Sequence, residues 1–318
     1  MSTDVIFDRI AIIGLGLIGS SLCRVIKRDG LARHVAGHAR SAETRETAMA
    51  LGFLDSVHDD AADAVRDADL VVLCAPVGAN AAIANAIGPA LKPGAVVSDV
   101  GSVKVAVIRD VGPHLAEGVH LVPGHPVAGT EHSGPESGFP ELFVDRYCIL
   151  TPPAGTDQDA IDRVVALWQR AGSNVELMDP HHHDRVLAIT SHLPHLIAYT
   201  IVGTASDLEN QLLRERDDEQ DVVETREVIK FSAGGFRDFT RIAASDPVMW
   251  RDIFLNNREA VIELLGRFVE DLTAMQRAIR WGEGETLEDV FTRTRAIRRG
   301  VIDMGQAGSF NPTEPEKE

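Results

Sequence analysis

The stretch Arg9-Ile10-Ala11-Ile12-Ile13-Gly14-Leu15-Gly16-Leu17-Ile18-Gly19-Ser20-Ser21-Leu22 decides how the first half of the chain is read. Arg9–Ile13 is a short, Ile-rich apolar run of the kind that forms a buried strand, and Leu17–Lys27 has the spacing of a helix. Glycines stand between them at 14, 16 and 19. Each answers a different steric demand: Gly14 permits the tight turn, Gly16 lets a pyrophosphate reach the backbone, and Gly19 lets helix and strand pack closely. A helix starting there offers unpaired N–H groups and partial positive charge to phosphates. A glycine pattern alone is a weak signal, and the strand before it and helix after it give it weight. Gly14, Leu15, Gly16, Leu17, Ile18 and Gly19 are therefore the candidate dinucleotide-binding residues.

Outward from this motif, strand-like and helix-like segments alternate. Val35–His38, Leu70–Ala75, Ala95–Val100 and His120–Val122 read as strands, with helices at Ser41–Leu51, Ala79–Leu91 and Val103–Leu115 between them. Alternation of this kind predicts a parallel sheet covered by helices on both faces. Beyond about residue 180 no strand candidate remains, and helices are predicted near 181–206, 221–231, 246–280 and 285–300. The expected organisation is an α/β dinucleotide-binding domain over 1–178 and an all-helical domain over 179–304. A Gly/Pro/Glu-rich tail, 305–318, is expected to be flexible.

Composition narrows the partners. The 318 residues carry 31 Lys and Arg against 48 Asp and Glu, a formal net charge of −17. Such a chain repels a phosphate backbone, so no nucleic-acid partner is expected. An anionic substrate would need a local cationic pocket working against that field. Cys23, Cys74 and Cys148 form no CxxC, which predicts neither a metal site nor a disulfide and fits a reducing cytoplasm. The longest apolar tract, Leu70–Leu91, is broken by Pro76, Asn80, Asn85 and Pro89, so no membrane span is expected, and the first residues do not read as a signal peptide.

Several residues carry candidate chemistry. The second strand ends His38-Ala39-Arg40-Ser41, without the carboxylate that would bind ribose hydroxyls. Arg40 is able to pair with a 2′-phosphate instead, which leaves NAD and NADP both open. Asp99-Val100-Gly101-Ser102-Val103-Lys104 follows a strand, at the sheet edge where ligands bind. Ser102 there could donate to a substrate oxygen or orient a histidine. In Gly124-His125-Pro126, a histidine between two conformationally special residues is a candidate acid–base group, since imidazole exchanges protons near neutral pH. Glu131 follows in a loop. His192 and His195 sit three apart on a predicted helix and share a face, and Pro194 between them removes a helix bond at a cost of ~3 kcal/mol that needs compensation. His181-His182-His183 reads as exposed or packing residues at a helix start. In Gly234-Gly235-Phe236-Arg237-Asp238-Phe239-Thr240-Arg241, the arginines offer bidentate, permanently charged partners for carboxylates. Asp246 before Pro247 reads as a helix cap.

Taken together and in order, GLGLIGSSL, DVGSVK, GHPVAGTEHSG, TSHLPH and GGFRDFTRIAASDPVMW resemble the prephenate/arogenate dehydrogenase family, over about residues 9–280. The resemblance implies a Rossmann-type domain followed by a helical dimerisation domain, and hence a homodimer. It implies oxidative decarboxylation of prephenate or arogenate with NAD or NADP as hydride acceptor, in tyrosine biosynthesis. It assigns proton acceptance from the ring hydroxyl to His125 and a bond to that hydroxyl to Ser102. Arg241 would hold the ring carboxylate, His192 and His195 would line the substrate side, and Glu131, Asp238 and Trp250 would form the pocket wall or gate. Two alternatives stand beside it. One is another dehydrogenase of related build, of the β-hydroxyacid or pyrroline carboxylate type, for which Lys230 is the nearest candidate lysine. The other is a nucleotide-binding relative without turnover.

Overall fold

β1 (Phe7–Ile13) lies inside a six-stranded parallel sheet, and its alternating side chains feed two separate cores. Ile10 and Ile12 enter one with Leu22, Ile26, Phe143 and Trp168, while Ala11 and Ile13 enter the other with Val71, Leu73, Val97 and Val107. A strand buried on both faces reads as a continuous apolar run, which is why this one is conspicuous in the sequence. The structure, a computed structural model, describes residues 5–130, 132–214 and 230–303.

α1 (Leu17–Asp29) follows the glycine loop and closes on Gly30, whose φ of 62° lets its N–H bond back to Ile26. β2 (Ala32–His38), α2 (Ala42–Ala50), β3 (Ser56–His58), α3 (Ala61–Val65), β4 (Leu70–Leu73), α4 (Asn80–Ile87), β5 (Val96–Asp99), α5 (Val105–Val111) and β6 (His120–Leu121) complete the alternation. The sheet order is β3-β2-β1-β4-β5-β6. This is the Rossmann arrangement, in which strand order reverses between β1 and β4 and opens a crevice at their carboxyl ends. Ile13 stands in register with His38 on one side and Leu73 on the other, so the glycine loop emerges over that crevice.

A second, three-stranded sheet carries the chemistry. β7 (Gly124–Pro126) pairs antiparallel with β8 (Tyr147–Leu150), which pairs parallel with β9 (Asn174–Leu177), and α6 (Gln158–Arg170) lies between the last two. β7 and β9 mix polar and apolar residues over three or four positions and lack the continuous apolar run that marks β4. β3 and α3 escaped for the same reason.

The expected helix at 181–206 is two helices. α7 (Pro180–Leu187) is capped by the Asp179 side chain, which accepts from His182 N–H. A π-turn over Ala188–His192 then leads into α8 (Leu193–Arg214). The widened turn directly precedes Pro194, where a regular helix has one hydrogen bond too few. The run Pro180–Gln211 holds an 18-residue window of mean hydropathy 1.4, long and apolar enough to cross a membrane by length and composition alone, and 28% of that window is buried. The run also buries His183, Asp184 and His192 against other parts of the protein. The expected helix at 246–280 is also two, Pro247–Asn256 and Arg258–Trp281, divided at Asn257. The last helix is Gly284–Asp303. Apart from Lys230 and Phe231, the helix expected at 221–231 lies outside the described residues, as do Glu131 and the tail 305–318.

By packing, residues up to Val261 form one unit and those from Ile262 a second. The first extends well past the Rossmann sheet because Trp250 and Ile253, on the helix Pro247–Asn256, join the core on one face of that sheet. The second consists of the rest of the helix Arg258–Trp281 and the helix Gly284–Asp303.

Candidate active site

The glycine loop fits a dinucleotide by the space it leaves. At Gly14, φ is 108° and an added Cβ would sit 2.5 Å from the Cys74 carbonyl oxygen. At Gly19 it would sit 2.0 Å from the Gly14 carbonyl oxygen, so neither position tolerates a side chain. At Gly16 nothing lies within 4 Å, which leaves the backbone open to approach. Gly16 caps α1 without any side-chain hydrogen bond, so the first-turn N–H groups remain available to phosphate. Leu15 and Leu17 turn their side chains into the core, and Ile18 packs against it. Only the backbones of these three are positioned to serve a ligand.

β2 ends at His38, followed by Ala39, Arg40 and Ser41. Arg40 is exposed, and Arg45 bonds the carbonyls of Ala39 and Arg40 at 2.7 and 3.1 Å. The Ser41 hydroxyl accepts Thr44 N–H at 3.4 Å and so caps α2.

His125 is the middle residue of β7 and only 7% exposed. Its position is fixed from the β5 side by a buried ion pair. Lys104 Nζ contacts both Asp99 carboxylate oxygens, at 2.7 and 2.6 Å, and the Gly124 carbonyl at 2.5 Å. Gly124 N–H returns a bond to Asp99 at 3.2 Å, and Gly101 N–H adds another at 2.8 Å. The Lys104 side chain is thus engaged inside the protein, holding Asp99 and Gly124. Burial opposes both charges, pushing Asp99 up and Lys104 down.

Behind His125 stands a residue that sequence reasoning missed. His125 Nδ1 lies 2.9 Å from His183 Nε2, and His183 Nδ1 lies 2.8 Å from Asp184 Oδ1. Asp184 also accepts the N–H groups of Lys104 and Val105, at 2.7 and 3.0 Å, and so caps α5. In the triplet at 181–183, the first two side chains are exposed and His183 is fully buried. The available signal was helical spacing: His183 and Asp184 share the inward face with Leu187 and Ala188. Burial drives His125 well below its ordinary value, reinforced by His183, Lys104 and His192. At neutral pH it is an uncharged imidazole, able to accept a proton.

The substrate side is built by the π-turn and the helix Pro247–Asn256. Asn257 Nδ2 donates to the Asp184 carbonyl at 2.8 Å and contacts His192 Nδ1 at 3.0 Å. His192 Nδ1 is therefore an acceptor and its N–H lies on Nε2. The Trp250 indole N–H is buried without a hydrogen-bond partner, while His192 also has a hydrogen bond to the Ser102 backbone. An unpaired buried donor is rare in proteins and marks a place for a polar ligand. Burial lowers His192 to about 4, with Asp184 opposing. His195 stacks on Trp250 at 3.7 Å between ring centroids, and its Nδ1 bonds the Ser191 carbonyl at 2.8 Å. Arg241 opens a turn of 3₁₀ helix that ends at Ala244, directly after the helix Gly234–Thr240. Its charge reaches His195 and helps to lower it, after burial. Tyr199 Oη donates to the Ser245 carbonyl at 2.7 Å and ties this turn to α8. Asp238 lies exposed on the helix before Arg241, and Asp246 caps the next helix through Met249 N–H. Ser102 is partly exposed in the loop between β5 and α5.

The fold and this site define a dinucleotide-binding α/β protein in which a buried, neutral histidine at the sheet's carboxyl edge faces a histidine-rich helical half. Family models described as "Prephenate dehydrogenase, nucleotide-binding domain" and "Prephenate dehydrogenase, dimerization domain" match residues 22–177 and 179–293. The chain belongs to the prephenate dehydrogenase family. It is 43% identical to the cyclohexadienyl dehydrogenase of Zymomonas mobilis, over 92% of this chain and 96% of that protein. It is 30% identical to the prephenate dehydrogenase of Bacillus subtilis, over 95% of this chain and 78% of that one. Among solved structures it is similar to prephenate dehydrogenase from Aquifex aeolicus in complex with hydroxyphenyl propionate and NAD+. There the TM-score is 0.82 at 33% identity, covering 92% of this chain and 98% of that one.

Proposed function

We propose that this protein catalyses the NAD(P)-dependent oxidative decarboxylation of a cyclohexadienyl acid, prephenate or arogenate, giving 4-hydroxyphenylpyruvate or tyrosine. The observation that carries the reading is His125, a buried imidazole kept neutral on β7 next to Gly124, which is tied to Asp99 at the carboxyl end of β5. A protein that only binds a nucleotide has no use for a positioned base. The likeness to the Zymomonas and Aquifex enzymes supports the same reaction.

A nicotinamide dinucleotide bound along Gly14–Gly19 supplies the hydride acceptor. The chain supplies the rest. His125 takes the proton of the ring hydroxyl, Ser102 bonds that oxygen, and Arg241 holds the ring carboxylate. His192 and His195 line the substrate's other end beside Trp250, with Asp238 at the rim; Glu131, expected there from the resemblance, lies outside the described residues. Exposed Arg40 and the lack of a carboxylate after β2 support acceptance of NADP as well as NAD. The nucleotide-binding part is 1–178 and the helical part 179–304. Exposed Val269, Leu272, Ile279 and Phe291 on the last helices support a homodimer formed through that helical part.

Initial rates of nicotinamide reduction, with prephenate and arogenate each crossed against NAD and NADP, test the proposal directly. Turnover is expected with at least one pair. Dinucleotide binding without turnover in all four would leave the chain a non-catalytic relative.

A further inference from the structure

With an uncharged His183, the hydrogen bonds behind His125 admit one arrangement of protons. Asp184 uses its two carboxylate oxygens to accept the N–H groups of Lys104 and Val105, so it stands as an acceptor. The contact from His183 Nδ1, at 2.8 Å, must then be an N–H donated to Asp184. Burial holds His183 below its ordinary value against the pull of Asp184, with Lys104 also lowering it and Asp99 raising it. The His183 ring is therefore neutral and carries a single N–H, which leaves a lone pair on Nε2. The 2.9 Å contact between that nitrogen and His125 Nδ1 is a hydrogen bond only if His125 carries its hydrogen on Nδ1.

We infer that His183, backed by Asp184, is a positioning residue that fixes His125 in the tautomer whose basic nitrogen is Nε2, and that shares the positive charge formed there during the reaction. The inference rests on the proposed reaction for its role and on geometry for its form. In the step itself, the substrate's ring O–H bond breaks and its proton moves to His125 Nε2. The hydride leaves the same ring carbon for the nicotinamide. Carbon dioxide departs with its bonding pair left in the ring, and the proton returns to the now phenolic oxygen. No net proton is produced, so His125 must be neutral before and after, and a partner that accepts from Nδ1–H stabilises the cationic interval. A histidine in this place does so without a second fixed charge in the pocket. The ionisable groups acting on His125 are His183, Lys104 and His192, and the ammonium of Lys104 is engaged by Asp99.

Nitrogen-15 spectra of the full-length wild-type protein, with the His125 ring assigned by its loss in His125→Asn, read the tautomer directly. A protonated Nδ1 and bare Nε2 are expected at neutral pH, and the reverse overturns the inference whatever the variants do. For His183→Phe, which removes the acceptor, kcat is expected to fall roughly 10²-fold or more while KM stays within about threefold. His183→Gln, whose amide oxygen can accept from Nδ1, is expected to recover at least about tenfold over the Phe variant, because a positioning role answers to an acceptor and a packing role does not. Phe and Gln variants of equal activity, or a Phe variant as active as wild type, refute it. If the Phe variant fails to fold, the wild-type tautomer and the Gln variant still decide. A wild-type protein that turns over neither acid would defeat the proposed function, and the tautomer measurement would stand apart from that result.

Discussion

Replacing Lys104 by Met should destabilise the first compact unit more than most single substitutions do. The side chain is 0% exposed and its partner Asp99 1% exposed. Truncation leaves a buried carboxylate with two backbone N–H donors, from Gly101 and Gly124, and no counter-charge. Breaking a buried pair from one side typically costs about 3–5 kcal/mol, because the remaining charge is uncompensated. Removing both charges, as Lys104→Met with Asp99→Asn, leaves no such charge, and a double change of this kind is often close to neutral. The double variant should therefore recover roughly 2 kcal/mol or more over Lys104→Met alone, a coupling far outside the additivity of independent sites. Denaturant unfolding of wild type, both singles and the double, followed by the fluorescence of Trp168 within that unit, measures the cycle. A Lys104→Met protein within about 1 kcal/mol of wild type, or a double variant no better than the single, would show that the pair is not what holds Gly124 and hence His125.

Four further outcomes follow from the site. His125→Asn should lower kcat by roughly 10²–10⁴-fold with dinucleotide affinity unchanged, and turnover within about threefold of wild type removes it as the base. Because burial pushes His125 well below 6.5, kcat/KM should stay level as pH falls through 6.5 and drop only further down, whereas a limb centred at or above 6.5 contradicts a buried neutral base. Arg241→Ala should raise substrate KM roughly 10- to 100-fold with little change in kcat, and an unchanged KM removes it from the carboxylate site. His192, neutral and buried, should make the fold acid-sensitive. Its folded value of about 4 lies below its unfolded 6.5, so the unfolded chain binds the extra proton. Stability is then complete above pH 6.5 and lost as pH falls toward 4, by about 3 kcal/mol at 1.36 kcal/mol per unit. His192→Gln should flatten that loss in unfolding measured across this range, and an equal slope in both proteins would contradict it.

The Rossmann half was legible because its signals are local. Apolar runs buried on both faces and glycines that a Cβ would block each declare themselves within a few residues. The second sheet was not legible, because strands such as Asn174–Leu177 are short and partly polar and are held by partners distant in sequence. The site divides in the same way. His125, His192 and His195 stood out because glycine, proline or a second histidine marked them. His183 and Asn257 carried no such mark. Their roles come from what lies across from them, which is His125 and Asp184 for the first and His192 and Asp184 for the second. The triplet at 181–183 misled because two of its three members are exposed.

A chain of net charge −17 that is to hold an anionic substrate beside an anionic dinucleotide needs cations that do not disturb its proton chemistry. The structure separates the two tasks. Burial strips the charge from His125, His183 and His192, and Asp99 engages the ammonium of Lys104, so the interior offers bases and N–H donors. Permanent positive charge lies instead on the more exposed Arg237 and Arg241, at the end of the helix Gly234–Thr240 and the turn after it. The separation is chemically useful. A guanidinium beside His125 would lower its basicity further, because a nearby like charge disfavours the imidazolium. Placed beside His195 instead, where its effect is felt, Arg241 would hold the carboxylate proposed for it while leaving the imidazole at position 125 enough affinity for a proton to accept one.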